Sequence, residues 1–236
     1  MSVSALPISE IFGPTVQGEG PYAGHRAMFI RFGGCNLSCS WCDTPYTWDS
    51  SRFDLRTQIA ARTVEDILGQ LPASGGLVVL TGGEPLMYSE RPVFEELLAQ
   101  LRARQFVIHV ESNATIAPPP PVIELVDVFV LSPKLPNAGR HKLQQDPALA
   151  RRWIPIAADK EVHLKFVCAG RSDVEAAATL AATWGWPPER TWVMPQGANS
   201  RDLQARWPLV LDAAIDHGLN ASHRLHVLAW GDVRGR

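Results

Sequence analysis

The strongest indication of the fold is the stretch Leu77-Val78-Val79-Leu80-Thr81-Gly82-Gly83-Glu84-Pro85, in which an apolar run ends in a polar, glycine-rich tract. A short apolar run bounded by turn residues is typical of a buried strand in a parallel sheet. Residues 92–102 follow with apolar side chains at helical spacing, which predicts a helix that packs on one face. A strand followed by a helix indicates parallel strands joined by right-handed crossovers.

The same alternation continues on both sides of this stretch. We predict further strands at residues 27–32, 106–110, 126–131, 162–167, 191–194 and 225–228. Further helices are predicted at residues 63–71, 174–184 and 203–216, and Thr63 and Asp66 form a capping box at the start of the first. Residues 117–121 contain four consecutive prolines and predict a stiff extended connection, while residues 136–155 are expected to form a short helix or a mobile loop.

Polar or glycine-rich tracts follow five of the predicted strands. These tracts are Thr81-Gly82-Gly83-Glu84-Pro85, Glu111-Ser112-Asn113, Ser132-Pro133-Lys134, Pro195-Gln196-Gly197 and Trp230-Gly231-Asp232. In a β/α barrel the carboxyl ends of the strands face one mouth, where the active site lies. Because fewer than eight helices are predicted, we expect an α/β fold with an incomplete, TIM-like β/α barrel of parallel strands, formed by residues 1–236 as a single domain.

Composition places the chain among globular proteins. The 236 residues are 46% hydrophobic and 19% charged, with a formal net charge of −2 and no basic tract, so we expect no nucleic-acid partner. There is no apolar run long enough to cross a bilayer, and residues 1–7 lack the basic start and apolar stretch of a signal peptide. We therefore expect a cytoplasmic protein with reduced thiols and no membrane partner.

Three of the four cysteines, Cys35, Cys39 and Cys42, lie within eight residues in a C-x3-C-x2-C pattern. Structural zinc sites and ferredoxin-type clusters normally require four protein ligands, whereas this tract offers three. Three thiolates on a four-iron, four-sulfur cube leave one iron open to the amino and carboxylate groups of S-adenosylmethionine (SAM), which the reduced cluster can cleave to a 5′-deoxyadenosyl radical. The pattern resembles the radical SAM superfamily. The alternative is a structural zinc site completed by Cys168 or a histidine.

Other tracts fit a SAM site at the same mouth. Thr81-Gly82-Gly83-Glu84-Pro85 resembles the GGEP motif of the superfamily, whose exposed carbonyls can accept hydrogen bonds from the SAM ammonium group. These tracts predict contacts to SAM from Cys42, Gly83, Glu84, Glu111, Ser112, Ser132, Pro133, Lys134 and Gln196. Asp43 and Thr44 offer adjacent oxygen atoms that suit Mg2+, and Asp43 is expected to bind either Mg2+ or SAM.

A closer resemblance begins at the amino-terminal end. The order E-I-F-x-x-x-x-Q-G-E-G from Glu10, R-F-x-G-C-N-L-x-C-x-W-C-D-T from Arg31 and T-G-G-E-P from Thr81 is similar to the 7-carboxy-7-deazaguanine synthase family, and the match extends to Arg236. The sequence departs from the family in having Ala114 where a glycine is expected, and in the stiff connection from Pro118 to Pro121.

This resemblance implies a reaction and a set of roles. Members convert 6-carboxy-5,6,7,8-tetrahydropterin to 7-carboxy-7-deazaguanine with release of ammonia, on the way to queuosine and related 7-deazapurines. It implies that Thr44 binds Mg2+, that a flavodoxin or ferredoxin supplies electrons, and that the enzyme is a homodimer. It also implies that Trp41 and Asp43 lie against SAM. The substrate is implied to be bound by Val16, Gln17, Gly18, Glu19, Arg31, Thr81 and Arg236.

Two other functions remain open from the sequence. A radical SAM activating enzyme, which places a glycyl radical on a partner protein, would carry the same cysteine pattern. A zinc-binding interaction module would be colourless, whereas an iron–sulfur protein is brown and absorbs near ~400 nm.

Overall fold

The computed structural model describes residues 4–139 and 149–235 of the chain. Within these residues, nine strands form one continuous sheet. The strands are β1 (Ala5–Val16), β2 (Arg26–Phe32), β3 (Ala60–Thr63), β4 (Gly76–Gly82), β5 (Phe106–Ser112), β6 (Val128–Leu131), β7 (Glu161–Cys168), β8 (Thr191–Pro195) and β9 (Asn220–Ala221).

Eight α-helices of the described residues connect or flank these strands. They are α1 (Leu55–Gln58), α2 (Val64–Leu68), α3 (Pro92–Ala103), α4 (Pro120–Leu125), α5 (Leu149–Asp159), α6 (Arg171–Thr183), α7 (Ser200–Asp216) and α8 (Leu225–Trp230). The capping box predicted for α2 is present, because the Thr63 hydroxyl accepts from the Asp66 backbone N–H and the Asp66 carboxylate accepts from that of Thr63.

The sheet has the order β3-β1-β2-β4-β5-β6-β7-β8-β9. Neighbouring strands from β2 onward run parallel, whereas β1 pairs antiparallel with both β2 and β3. The sheet is not closed, so the predicted incomplete β/α barrel is confirmed. None of the helices in residues 4–139 and 149–235 combines the length and the hydropathy that a membrane span requires.

The main core lies between the outer face of the sheet and the helices. On α3, Phe94, Leu97, Leu98 and Leu101 are fully buried, as their helical spacing predicts. Each such burial contributes about 2 kcal/mol. A second, smaller group of Ala27, Phe29 and Val79 fills the inner face of the sheet. The inner face above this group, toward the carboxyl ends of the strands, carries polar side chains.

Some predicted elements were wrong or missed. Residues 225–228, predicted as a strand, lie in helix α8, and the last strand is the two-residue β9. The proline tract is extended only as far as Pro119, because Pro120 and Pro121 form the first turn of α4, where the missing N–H of proline costs no hydrogen bond. Within residues 136–155, α5 begins at Leu149, and residues 140–148 lie outside the described part. The sequence patterns did not predict strands β1 and β3 or helices α1 and α4.

Candidate functional site

A cavity of about 700 Å³ opens at the carboxyl ends of the parallel strands. This volume is in the range of sites that hold small molecules. Most of the residues predicted to bind the cluster, SAM, Mg2+ or the substrate line it. They are Val16, Gln17, Gly18, Glu19, Arg31, Cys35, Cys39, Trp41, Cys42, Asp43, Thr44, Thr81, Gly83, Glu111, Ser112, Ser132, Lys134 and Gln196.

Two of the predicted site residues that the structure describes, Glu84 and Pro133, do not line it. Glu84 is fully buried behind the cavity wall, where its carboxylate accepts from the backbone N–H groups of Leu86 and Asn113, at 2.9 and 2.6 Å, and from the Ser112 hydroxyl at 3.0 Å. Its side chain holds the loop after β4 against β5 and does not face the cavity. Pro133 is buried and does not line the cavity. Arg236 lies outside the described residues.

The three clustered cysteines line this cavity as free, half-buried thiols. Two of them accept N–H hydrogen bonds: Cys35 Sγ from the Leu37 backbone at 3.4 Å and Cys42 Sγ from the Trp48 indole at 3.3 Å. Burial raises the pKa of Cys35 to about 12 and also raises that of Cys39. Such thiols become thiolates when a metal centre supplies positive charge, so the donor set fits an iron–sulfur cluster.

Among the described residues, Cys168 is not brought to this cavity as a fourth ligand. Cys168 is fully buried at the end of β7, and its thiol lies 3.9 Å from the Phe166 carbonyl oxygen. In residues 4–139 and 149–235, no three His, Cys, Asp or Glu side chains are gathered closely enough to hold a single metal ion. The zinc site completed by Cys168 is therefore not supported by the geometry, whereas three separate thiols can each bind a different iron of a cluster.

The glycine-rich turn after β4 packs directly on the cysteine loop. The Glu84 backbone N–H donates to the Gly34 carbonyl at 2.8 Å, and a Cβ on Gly83 would lie only 1.8 Å from that oxygen. Glycine at position 83 is therefore required for the close approach of the two backbones. From the neighbouring strand, Asn113 Nδ2 donates to Asn36 Oδ1 at 2.8 Å. These contacts fix the cysteine loop to the ends of β4 and β5.

Ala114 stands where the family resemblance predicts a glycine. Its φ of 69° lies in the left-handed region that favours glycine. The local structure is nevertheless held, because its N–H donates to Ser112 Oγ at 3.1 Å and its carbonyl accepts from the Trp153 indole at 3.0 Å. The departure from the family pattern therefore changes the residue without removing its turn.

Glu111, at the end of β5, is a hydrogen-bond centre of the cavity. It accepts from Thr81 Oγ1 at 2.8 Å, Lys165 Nζ at 2.9 Å and Gln17 Nε2 at 3.3 Å. Lys165 also donates to Glu19 Oε2 at 2.7 Å. Burial alone would lower the pKa of Lys165, but Glu111 and Glu19 raise it above its ordinary value. The lysine is therefore a fixed positive charge.

A second cation, Arg224, joins Glu19 and Asp43. Its Nε donates to Glu19 Oε1 at 2.8 Å, and its Nη2 donates to Asp43 Oδ2. Burial would raise the pKa of Glu19, but Lys165 and Arg224 outweigh it and hold the pKa well below its ordinary value. Burial likewise opposes ionisation of Asp43, yet Arg224 and Arg31 keep its pKa lowered. Both groups are carboxylates at neutral pH.

Arg31, on β2, faces the same cavity from the other side. Its Nε donates to Glu10 Oε2 at 2.9 Å, and that oxygen also accepts from the Tyr46 hydroxyl at 3.1 Å. The guanidinium has four further N–H groups, which can meet a carboxylate in bidentate geometry.

Thr44 places its hydroxyl beside the cysteine loop, with Oγ1 at 3.7 Å from Cys42 Sγ. Mg2+ is commonly bound through few protein oxygens, with water and substrate completing its shell. A hydroxyl at the cavity wall fits that pattern. Asp43 fits it less well, because an oxygen already paired with the Arg224 guanidinium would place two cations side by side.

The sequence patterns did not identify Lys165, Arg224 or Tyr46 as cavity residues. The position of Lys165 inside an apolar strand could have indicated such a role, since a buried lysine almost always has a charged or hydrogen-bonding partner. Arg224 carries no comparable local signal. It meets Glu19 across 205 positions of sequence.

Comparison with known proteins agrees with this site. Residues 29–131 match the model of the radical SAM superfamily. The chain is 35% identical to the 7-carboxy-7-deazaguanine synthase of Pyrobaculum aerophilum, covering 99% of this chain and 100% of that protein. It is 31% identical to the Bacillus subtilis protein of the same name, with 98% of each covered.

A solved structure supports the same relationship. The crystal structure of QueE from Escherichia coli superposes with a TM-score of 0.64 and 25% identity, covering 94% of this chain and 95% of that one. The superfamily match accounts for the three cysteines and the loop packed on them, and the full-length matches account for the tracts around the rest of the cavity. The chain therefore belongs to the 7-carboxy-7-deazaguanine synthase family of the radical SAM superfamily.

Proposed function

We propose that this chain converts 6-carboxy-5,6,7,8-tetrahydropterin to 7-carboxy-7-deazaguanine with release of ammonia, as a carbon–nitrogen lyase of 7-deazapurine and queuosine biosynthesis. The reaction follows from the name that its relatives carry over their whole length. The single observation that carries it is one cavity lined by the cysteine tract, the Gly83 turn and the Gln17–Glu19 tract together. Full-length similarity to these relatives also favours a small substrate over a protein that receives a glycyl radical.

The cofactors are those of the family: a [4Fe-4S] cluster, SAM and Mg2+. When bound, the cluster and SAM supply the 5′-deoxyadenosyl radical with which the chemistry begins. Cys35, Cys39 and Cys42 hold the cluster, and Thr44 is the protein ligand of Mg2+. The ion pair between Asp43 and Arg224 supports a role for Asp43 beside SAM rather than on Mg2+.

The SAM surface that we propose is built around the cysteine loop. The Lys134 ammonium lies 5.4 Å from the centre of the Trp41 ring and donates to Ser132 Oγ at 2.8 Å, so this part of the wall is pre-organised. Glu84 and Pro133 support the wall from behind. The residues proposed to contact SAM are Trp41, Cys42, Asp43, Gly83, Glu111, Ser112, Ser132, Lys134 and Gln196.

The substrate surface lies between Arg31 and Glu19. Arg31 binds the substrate carboxylate with the N–H groups that Glu10 does not use. Glu19 and Gln17 bind the aminopyrimidinone edge, because an ionised carboxylate oxygen that accepts one hydrogen bond retains capacity for another. Thr81, Val16 and Gly18 complete the contact, and Arg236 is proposed to approach from the carboxyl-terminal segment, whose Gly235 lines the cavity.

We also propose a single domain, a homodimer, an electron donor of the flavodoxin or ferredoxin type and a cytoplasmic location. The continuous nine-stranded sheet of the described residues supports one domain. Apolar side chains that α8 leaves exposed, Leu225, Leu228 and Trp230, support a dimer contact. Cysteines that serve as cluster ligands suit a compartment in which thiols stay reduced.

The test is anaerobic reconstitution of the full chain with iron and sulfide, followed by incubation with SAM, Mg2+, a reductant and the carboxytetrahydropterin. The expected product is 7-carboxy-7-deazaguanine with one ammonia per turnover, measured by mass spectrometry and an ammonia assay. A Cys39→Ala variant, which removes one cluster ligand, is the matched inactive control. If four irons are incorporated and SAM binds but no carboxydeazaguanine forms, the substrate assignment is wrong.

A further inference from the structure

Arg224 connects three segments that are separate in sequence. It precedes helix α8, and only 7% of its surface is exposed. Its Nε donates to Glu19 at 2.8 Å, its Nη2 to Asp43 and its Nη1 to the carbonyl oxygen of Gly197. One guanidinium therefore touches the substrate tract, the loop after the last cysteine of the cluster tract, and the loop after β8.

We propose that Arg224 is a positioning residue that holds the substrate tract at Glu19 in a fixed position relative to the cysteine loop at Asp43. This inference rests on the proposed function. The planar fork of a guanidinium fixes the relative positions of its partners, which a lysine ammonium cannot do. Glu19, Asp43 and Gly197 lie on loops rather than within helices or strands, so side-chain contacts of this kind determine their mutual geometry.

The charges around Glu19 give Arg224 a second effect. Glu19 faces Lys165 from β7 and Arg224 and His226 from the region of α8, with the Asp43 carboxylate on the far side of Arg224. Burial opposes ionisation of Glu19, and Arg224 contributes to the attraction that overcomes it. Without Arg224, Glu19 keeps Lys165 and, at 4.0 Å, His226, but it loses one of its two close cations and its pKa rises. In the variant, Glu19 would then become protonated at a pH at which it is still ionised in the native enzyme.

The proposal is tested with Arg224→Gln and Arg224→Lys in the anaerobically reconstituted full chain. Arg171→Gln is the matched control, because Arg171 forms a half-exposed pair with Asp216, 2.7 Å apart, outside the cavity. We expect Arg224→Gln to raise the substrate KM by about tenfold or more, with a smaller change in kcat. As the pH is lowered, the kcat/KM of Arg224→Gln should begin to fall at a higher pH than that of the native enzyme. Arg224→Lys keeps the positive charge, so its pH profile should be closer to that of the native enzyme than its KM is.

Hydrogen exchange gives a readout that does not depend on turnover. Backbone amides of residues 17–20, 42–44 and 196–198 should exchange faster in Arg224→Gln, while those of α3 and α6 keep their protection. The inference is overturned if exchange in the three segments is unchanged, or if it rises everywhere together with loss of iron, because Arg224 would then be a general structural residue. A native enzyme that makes no product would overturn the proposed function alone, since the exchange data still decide the role of Arg224.

Discussion

At the residue scale, Glu84 shows how burial sets the charge of one carboxyl group. Burial raises its pKa from the ordinary 4.5 to about 7, although the N–H groups of Asn113 and Leu86 and the Ser112 hydroxyl partly oppose the shift. Because the folded protein holds this proton more tightly than the unfolded chain, the contribution to stability is full below about pH 4.5 and is lost as the pH rises through about 7.

This shift predicts a pH-dependent difference between the native chain and a Glu84→Gln variant. The free energy of unfolding of the native chain, minus that of the variant, should fall by up to about 3 kcal/mol between about pH 4.5 and 7. Urea unfolding of both proteins, prepared in the same cluster-free state, measures it. A difference that stays constant over this interval, or that grows with pH, would show that Glu84 is already ionised in the folded protein.

Trp48 supplies a second prediction at this scale. Its indole N–H donates to Cys42 Sγ at 3.3 Å, and hydrogen bonds to cluster sulfur stabilise the reduced, more negative state. Trp48→Phe should lower the midpoint potential of the cluster by some tens of millivolts, on the order of one hydrogen bond. A potentiometric titration followed by electron paramagnetic resonance measures the shift, with Trp230→Phe, exposed at the end of α8, as the control. Equal potentials in all three proteins would rule out this role.

At the scale of elements, the sequence predicted strands and helices correctly where a long run of residues has apolar side chains at a spacing that fits only a strand or only a helix. The helix α3 and the buried strand β4 are of this kind. Residues 225–228 are a four-residue apolar run with one histidine, which fits a strand and a helix equally well, so the pattern could not distinguish them. Strand β3 has four exposed residues and therefore no apolar periodicity at all. Its place is fixed by pairing with β1, which is a tertiary contact.

The turn after β4 gives the prediction at this scale. A methyl group on Gly83 would lie 1.8 Å from the Gly34 carbonyl oxygen and 2.5 Å from its carbon, both of them backbone atoms. Gly83→Ala should therefore push the cysteine loop away from β4 and strongly reduce iron uptake during reconstitution. Gly170→Ala is the control, because Gly170 is extended and has no atom within 4 Å of its added methyl. A Gly83→Ala protein that binds iron like the native chain would contradict this packing.

At the scale of the whole molecule, the cavity is assembled from partners that no local pattern connects. Motifs predicted which loops reach the mouth, because each strand places its following tract at the same edge of the sheet. They could not predict which cations pair with the carboxylates of those tracts. Glu19 meets Lys165 across 146 positions of sequence and Arg224 across 205, so only the folded chain reveals both pairs.

The two ends of the described chain also meet at this cavity, and their contact leads to the last prediction. Arg234 pairs with Glu10 on β1, donates to Gln58 Oε1 at 2.8 Å and lies 4.0 Å from the centre of the Tyr46 ring. Glu10 in turn orients Arg31, the residue proposed to bind the substrate carboxylate. Arg234→Ala should raise the substrate KM by roughly three- to tenfold, because Glu10 loses a partner and then holds Arg31 less firmly. Unfolding free energy should change by less than about 1 kcal/mol, because the Arg234 side chain is half exposed.

Steady-state kinetics at low and high salt measure the effect, with Arg56→Ala, which removes an exposed pair with Asp54, as the control. Added salt should raise KM in the native enzyme and less in Arg234→Ala, since screening weakens a pair that the variant already lacks. Identical KM values in the native enzyme and Arg234→Ala would mean that the carboxyl-terminal segment does not contribute to holding the substrate through Glu10 and Arg31.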